Sequence, residues 1–187
     1  MLKKIFALLL RRFEKQNNYD VSYSRYILKH STPAFWKFSQ INAFAGHNEG
    51  LPRDVLFAIK ITSTLKADCG PCTQLVTGWA EKAGVPAATI RAILTRDFDR
   101  MPADVALAVR FTNAALNRDL EADAMRERIR MKWGDKGVIS AAFAITGGQI
   151  FPTLKYALGY GHACGLVSVG NELVRVSHEP SKMLQAI

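Results

Sequence analysis

The sequence predicts an all-α protein, and three observations carry that expectation. Apolar residues recur at helical spacing along nearly the whole chain, with no run that alternates as a strand would. Pro33, Pro52, Pro86 and Pro102 stand where the first turn of a helix tolerates proline, and Gly84 stands where a helix ends. The 187 residues, 49% hydrophobic and 22% charged, have the composition of a folded chain long enough to bury a core.

The elements follow in order. A first helix, about 2–15, lies in "MLKKIFALLLRRFEK". Its apolar run from Ile5 to Leu10 is too short for a signal peptide and ends at Arg11-Arg12 without a small-residue cleavage site, so a cytoplasmic location is the expectation. The helix is basic and amphipathic, so it either packs on its own chain or a neighbour, or makes peripheral contact with an anionic membrane. Helices at about 21–30 and 33–45 complete an N-terminal arm, residues 1–50, and the loop "GHNEGLP" separates it from a helical domain, 51–187.

That domain opens with a helix at about 52–67, in which Val55, Leu56, Ile59 and Leu65 are interleaved with Lys60 and Lys66. The next, about 69–84, starts at two cysteines and stops at Gly84; "AGVPAATIRAIL" then starts a helix at about 86–97. Helices at about 102–117, 120–133 and 135–159 follow. The uncharged tract from Val138 to Leu154 nears the length of a membrane span, but Gly147, Gly148, Gln149 and Pro152 interrupt it. It reads as a helix buried in a core or between subunits.

The net charge of +9 is concentrated at the N-terminus, where Lys3, Lys4, Arg11, Arg12, Lys15, Arg25 and Lys29 face only Glu14 and Asp20. From Arg91 to Lys132 bases and acids alternate, as on solvated helix faces, and no nucleic-acid motif accompanies them. "GGQIFP" and "GYGHACG" follow no strand and do not form a nucleotide loop. No cofactor is expected, and no metal either: a zinc site would need a second cysteine pair, and Cys164 beside His162 stands alone.

The chemistry lies in "DCGPCTQLV". Cys69 and Cys72 are three residues apart, on one face of a helix and within reach of a disulfide. Asp68 is expected as the N-cap, with Gly70 and Pro71 in the first turn, so the sulfurs sit at the positive end of the helix dipole, which favours thiolate. On this reading Cys69, nearest the helix end, is the exposed attacker. Thioredoxin shares the Cys-Gly-Pro-Cys but not its surroundings, because the preceding residues are helical and no proline stands near 105–112.

The stretch "DVLFAIKITSTLKADCGPCTQLVTGWAEKAGVPAATIRAIL", followed by "RMPADVALAVRFTNAALN" and "MKWGDKGVISAAFAI", resembles the alkylhydroperoxidase D and carboxymuconolactone decarboxylase family from about Leu51 to Ala144. The resemblance implies an alkylhydroperoxidase D-like helical bundle, assembled as a trimer or hexamer. It also implies a dithiol that reduces a peroxide or disulfide substrate and is recycled by a thiol reductant, with the second cysteine attacking. Two features of the family's proton relay are missing: Phe57 stands where members carry glutamate, and Val76 where they carry histidine. Pro71 stands where many place a histidine. Cys69 and Cys72 are therefore the expected catalytic pair. Candidate auxiliaries are Asp54, which could replace the missing carboxylate, Asp68, Gln74 and His162; the base could also be Lys66 or a group from another helix. Two further readings stay open: a non-enzymatic helical assembly or membrane-associated module with an inert dithiol, and a cofactor-free decarboxylase-type enzyme.

Overall fold

Helical spacing becomes helix almost residue for residue. The computed structural model describes residues 2–163 and 165–177. Among these, eight α-helices run in order: α1 (Leu2–Asn17), α2 (Ser22–His30), α3 (Thr32–Gly46), α4 (Arg53–Lys66), α5 (Gly70–Lys82), α6 (Ala87–Thr95), α7 (Ala103–Asn117) and α8 (Glu121–Ala157). A single 3-10 turn, Phe98–Arg100, joins α6 to α7. The prolines do what their position predicts: Pro33 enters the first turn of α3, and Pro52, Pro86 and Pro102 take the N-caps of α4, α6 and α7. Gly84, at φ +83°, closes α5, with its amide on the Glu81 carbonyl at 2.9 Å and that of Val85 on Ala80 at 3.0 Å. The break expected between 133 and 135 falls at Gly134, whose φ of 67° and ψ of −175° leave the helical region and kink α8.

The chain is mostly helical but not wholly so. β1 (Leu166–Val169) and β2 (Glu172–Arg175) form an antiparallel hairpin, pairing Val167 with Val174. A signal for it is present: "VSVGNELVRV" alternates around Gly170-Asn171, and Gly170 has the positive φ that a two-residue turn requires.

The central helix is α4, which packs against α5, α6, α7 and α8. Val55, Ala58, Ile59 and Ile61 are fully buried, and so are the hydroxyl residues that follow. Ser63 donates to the Ile145 carbonyl of α8 at 2.7 Å and Thr64 donates back to Ile61 at 3.0 Å, so these two enter the core with partners, whereas the Thr62 hydroxyl has none among the described residues. A second cluster belongs to the N-terminal helices: Phe6, Tyr19, Val21, Tyr23, Leu28, Phe35 and Phe38 pack together and against Leu75, Phe151 and Leu154. Thus α1–α3 cover one side of the α4–α5–α8 layer.

Helix α8 reaches α3 and α4 through its glycine pair. A Cβ on Gly148 would lie 2.5 Å from that of Ser63, and one on Gly147 2.7 Å from that of Ala45. Gly148→Val is therefore expected to destabilise the fold by roughly 1–3 kcal/mol through overpacking, measured as a lower denaturation midpoint. Among the described residues α8 is the one helix long and apolar enough to cross a membrane. It packs by one face, and Ile139, Ala142, Thr146 and Thr153 are exposed on the other. Surface charges from 104 to 135 pair within α8, as in Arg126–Asp123 and Arg130–Glu127, or between α8 and α7, as in Lys132–Asp104. On α1 the buried side carries Phe6, whereas Leu2, Ile5, Leu8 and Leu9 are exposed beside Lys3, Lys4 and Arg12.

Candidate active site

The dithiol sits at the three-residue elbow between α4 and α5, with Cys69 its last residue and Cys72 in the first turn of α5. Asp68 is not the N-cap of α5. It is the left-handed residue that closes α4, at φ 48°: its amide donates to Leu65 at 2.9 Å and the Cys69 amide to Thr64 at 3.4 Å. Aspartate tolerates both roles, so the same residue suits either end of a helix. Cys69 is the residue that caps α5, in extended conformation, and its carbonyl accepts the Thr73 amide at 2.9 Å and hydroxyl at 3.0 Å. The elbow is held from outside as well: Gly70 donates to the His162 carbonyl at 3.0 Å, and the Tyr156 hydroxyl to the Asp68 carbonyl at 2.7 Å.

Both sulfurs are reduced and buried, which overturns the expectation that Cys69 is exposed. Cys69 has no exposed surface, whereas Cys72 borders a cavity of about 930 Å³ enclosed by α1–α3, α4, α5 and α8. The cavity wall is mostly apolar. Tyr19 and Tyr23 contribute to it from the N-terminal arm, Lys60 and Thr64 from α4, and Phe151 from α8.

Two residues outside the dithiol motif complete the site. The Tyr19 hydroxyl lies 3.8 Å from Cys72 Sγ, and Lys155 Nζ lies 3.4 Å from that hydroxyl. Lysine can only donate, so the Tyr19 oxygen accepts from Lys155 and its own proton is free for sulfur. Lys155 is 1% exposed, lies 4.9 Å and 5.3 Å from the ring centres of Tyr19 and Tyr23, and forms no ion pair with a carboxylate among the described residues. A buried ammonium needs compensating negative charge. The dithiol and the Asp20 carboxylate are the groups in its field that can supply one.

The two thiols diverge accordingly. A hydrogen bond from the Cys72 thiol pulls the Cys69 thiol down to about 7; burial opposes this, while the Cys72 amide and the Lys155 charge assist. Cys72 is pushed up because it donates that hydrogen bond, and burial raises it further. Burial likewise pushes the Tyr19 hydroxyl upward, so it stays a donor. The pair thus shares one proton. Ultraviolet titration of the reduced protein is expected to show a single thiolate forming around pH 7. Because the folded chain ionises this thiol below its unfolded value, the resulting stability is full above the ordinary thiol range and is lost as pH falls through about 7.

The other sequence candidates are placed elsewhere. Gln74 clamps the hairpin, donating to Ser168 O at 3.1 Å and accepting from Ser168 N at 2.7 Å. Asp54 stands in the first turn of α4, at the end away from the dithiol, with its carboxylate on the Val55 amide at 2.9 Å. His162 reaches the elbow through its carbonyl, and its side chain is exposed. Lys66 is exposed, Phe57 is half-buried in the core, and Val76 lines the cavity. No group of three metal-ligating side chains occurs among the described residues; Cys164 lies outside them.

Tyr19 and Lys155 went unread in the sequence. The available signal was spacing: Ala144, Gly148, Phe151 and Lys155 fall on one face of α8, and the first three line the cavity. A lysine on that row sits where an apolar residue is the rule. The chain matches no family model, no curated protein and no solved structure.

Proposed function

We propose that the protein is a dithiol–disulfide oxidoreductase of the alkylhydroperoxidase type, which reduces an organic hydroperoxide at Cys72. The observation that carries this reading is the division of labour at the elbow. Cys72 borders the cavity. Cys69, sealed behind it, has the lowered thiol pKa.

The step balances with the residues present. The Cys69 thiolate takes the Cys72 proton, with Tyr19 and Lys155 supporting the new thiolate on Cys72. Cys72 sulfur attacks the outer oxygen of R–O–O–H and becomes a sulfenic acid, while the R–O⁻ released takes the proton from Cys69 and leaves as the alcohol. The Cys69 thiolate then attacks the sulfenic sulfur and expels hydroxide, which takes from solvent the proton that Cys69 released when it ionised and leaves as water, and the pair ends as a disulfide. A thiol reductant supplies the two electrons that restore it. Lys155 here takes the place of the relay whose positions are occupied by Phe57 and Val76.

Treating the reduced protein with cumene hydroperoxide, then mapping peptides by mass, tests the reading: a Cys69–Cys72 disulfide should form and be reversed by a dithiol reductant. Two free, unmodified cysteines after treatment would overturn it and favour the inert pair. The trimer or hexamer implied by the family resemblance is part of the proposal, and light scattering on the purified chain checks it.

A further inference from the structure

The cavity is far larger than a reaction at one sulfur needs. Its volume of about 930 Å³ lies near the top of the range for whole small-molecule sites, roughly 300–1,000 Å³. Rings dominate the wall: Phe6, Phe13, Phe35, Phe38, Trp79 and Phe151. Where lining rings meet, they do so tilted or edge-on, from 55° for Phe6 on Phe35 to 90° for Tyr19 on Tyr23. No parallel pair of lining rings offers a slot for a flat ligand, whereas tilted rings and their edges surround a flexible chain well.

Charge adds a second constraint. No aspartate or glutamate lines the cavity, while Lys60 and Arg12 do. Arg12 is exposed on α1 beside Leu9, which also lines the cavity, so this flank of α1 forms the mouth. Lys60 is half-buried on α4, forms no ion pair among the described residues, and desolvation holds its amine below the ordinary lysine range. An anion delivered into the cavity would offset that desolvation.

We propose that the cavity binds a single-chain amphiphile with an anionic head, a long-chain carboxylate, whose chain fills the ring-lined space against Cys72 and whose carboxylate pairs with Lys60. Arg12 attracts the head at the mouth. The proposal names a ligand class for the cavity of the dithiol reading and rests on that reading only for the chemistry at Cys72.

Calorimetric titration with dodecanoate, decanoate, dodecanol and naphthalene-2-carboxylate tests it, on the reduced protein and on the Cys69→Ser/Cys72→Ser double variant. Dodecanoate should bind both proteins equally. Decanoate, shorter by two methylenes, should bind about fifteenfold more weakly. Dodecanol should bind at least about tenfold more weakly than the acid, for want of the charge-assisted pair. Lys60→Met should erase the preference for acid over alcohol without changing the alcohol's affinity. Absence of dodecanoate binding, no dependence on chain length, equal affinity for acid and alcohol, or tighter binding of the planar acid would each overturn the proposal. The acid–alcohol comparison on the unsubstituted chain decides the matter even if Lys60→Met does not fold. Disulfide formation without dodecanoate binding sinks this inference alone, and binding without disulfide formation sinks the dithiol reading alone.

Discussion

Replacing Cys72 by serine is expected to abolish hydroperoxide reduction, whereas Cys69→Ser should leave a single slow oxidation that stops at a sulfenic acid on Cys72. The asymmetry follows from position. Cys72 is the sulfur on the cavity wall, so a serine there removes the nucleophile from substrate. A serine at Cys69 leaves that nucleophile but removes both the thiolate that takes its proton and the sulfur that resolves the oxidised product. Mass spectrometry after peroxide treatment should find one added oxygen in the Cys69 variant and none in the Cys72 variant. Folding is not expected to confuse the result at Cys69, which caps α5: serine is a preferred residue there, favoured over a non-capping side chain by about 1 kcal/mol. Sustained turnover in either variant would contradict the assignment.

Lys155→Met is expected to raise the pKa of the dithiol and make the disulfide harder to reduce. The ammonium sits behind Tyr19 and attracts charge on both sulfurs, and methionine keeps much of the buried stem while removing that charge. A rise of one unit lowers the thiolate population up to tenfold near pH 7, since each unit is about 1.4 kcal/mol. The same interaction stabilises the reduced pair over the neutral disulfide, so its loss should move the potential negative by about 30 mV for each tenfold change in the redox equilibrium. The two redox states provide a control. In the native protein, oxidation leaves Lys155 buried near a neutral disulfide, so the oxidised form forfeits that attraction; in the methionine variant the deficit disappears. A purely structural lysine would shift the melting of both forms equally and leave the potential unchanged.

Much of the helical layout was legible because proline and glycine mark it: Pro33, Pro52, Pro86, Pro102, Gly84 and Gly134 bound elements at or within a residue or two of where the sequence places them. The hairpin escaped because its strands are four residues each, too short to stand out against strong helical periodicity. The cysteines were legible as a pair, but their surroundings were not. Tyr19 and Lys155 are 136 positions apart and meet only because α8 packs against the N-terminal arm. Asp68 was misassigned because the preferences of aspartate for a helix start and for a left-handed closing residue are alike, and only the tertiary course of α4 decides between them. The exposure of Cys69 was misjudged for a related reason: its cover comes from elements remote in sequence, including the segment around Tyr156 and His162.

The separation of the two hydrophobic clusters has a dynamic consequence. Rings of α1–α3 pack chiefly among themselves and on a few residues of α5 and α8, while α4 is knitted into the larger core. Such an arrangement permits the N-terminal helices to open as a unit at a smaller free energy than global unfolding requires. Amides of α1–α3 should then exchange with solvent hydrogen faster than those of α4, and Cys72 should become modifiable at the rate of that partial opening. A substitution such as Phe35→Ala, whose side chain is absent from the cavity's sulfur-bearing helix, should therefore speed thiol modification far more than it lowers the melting temperature. The accessibility of the dithiol is in this sense a property of its roof.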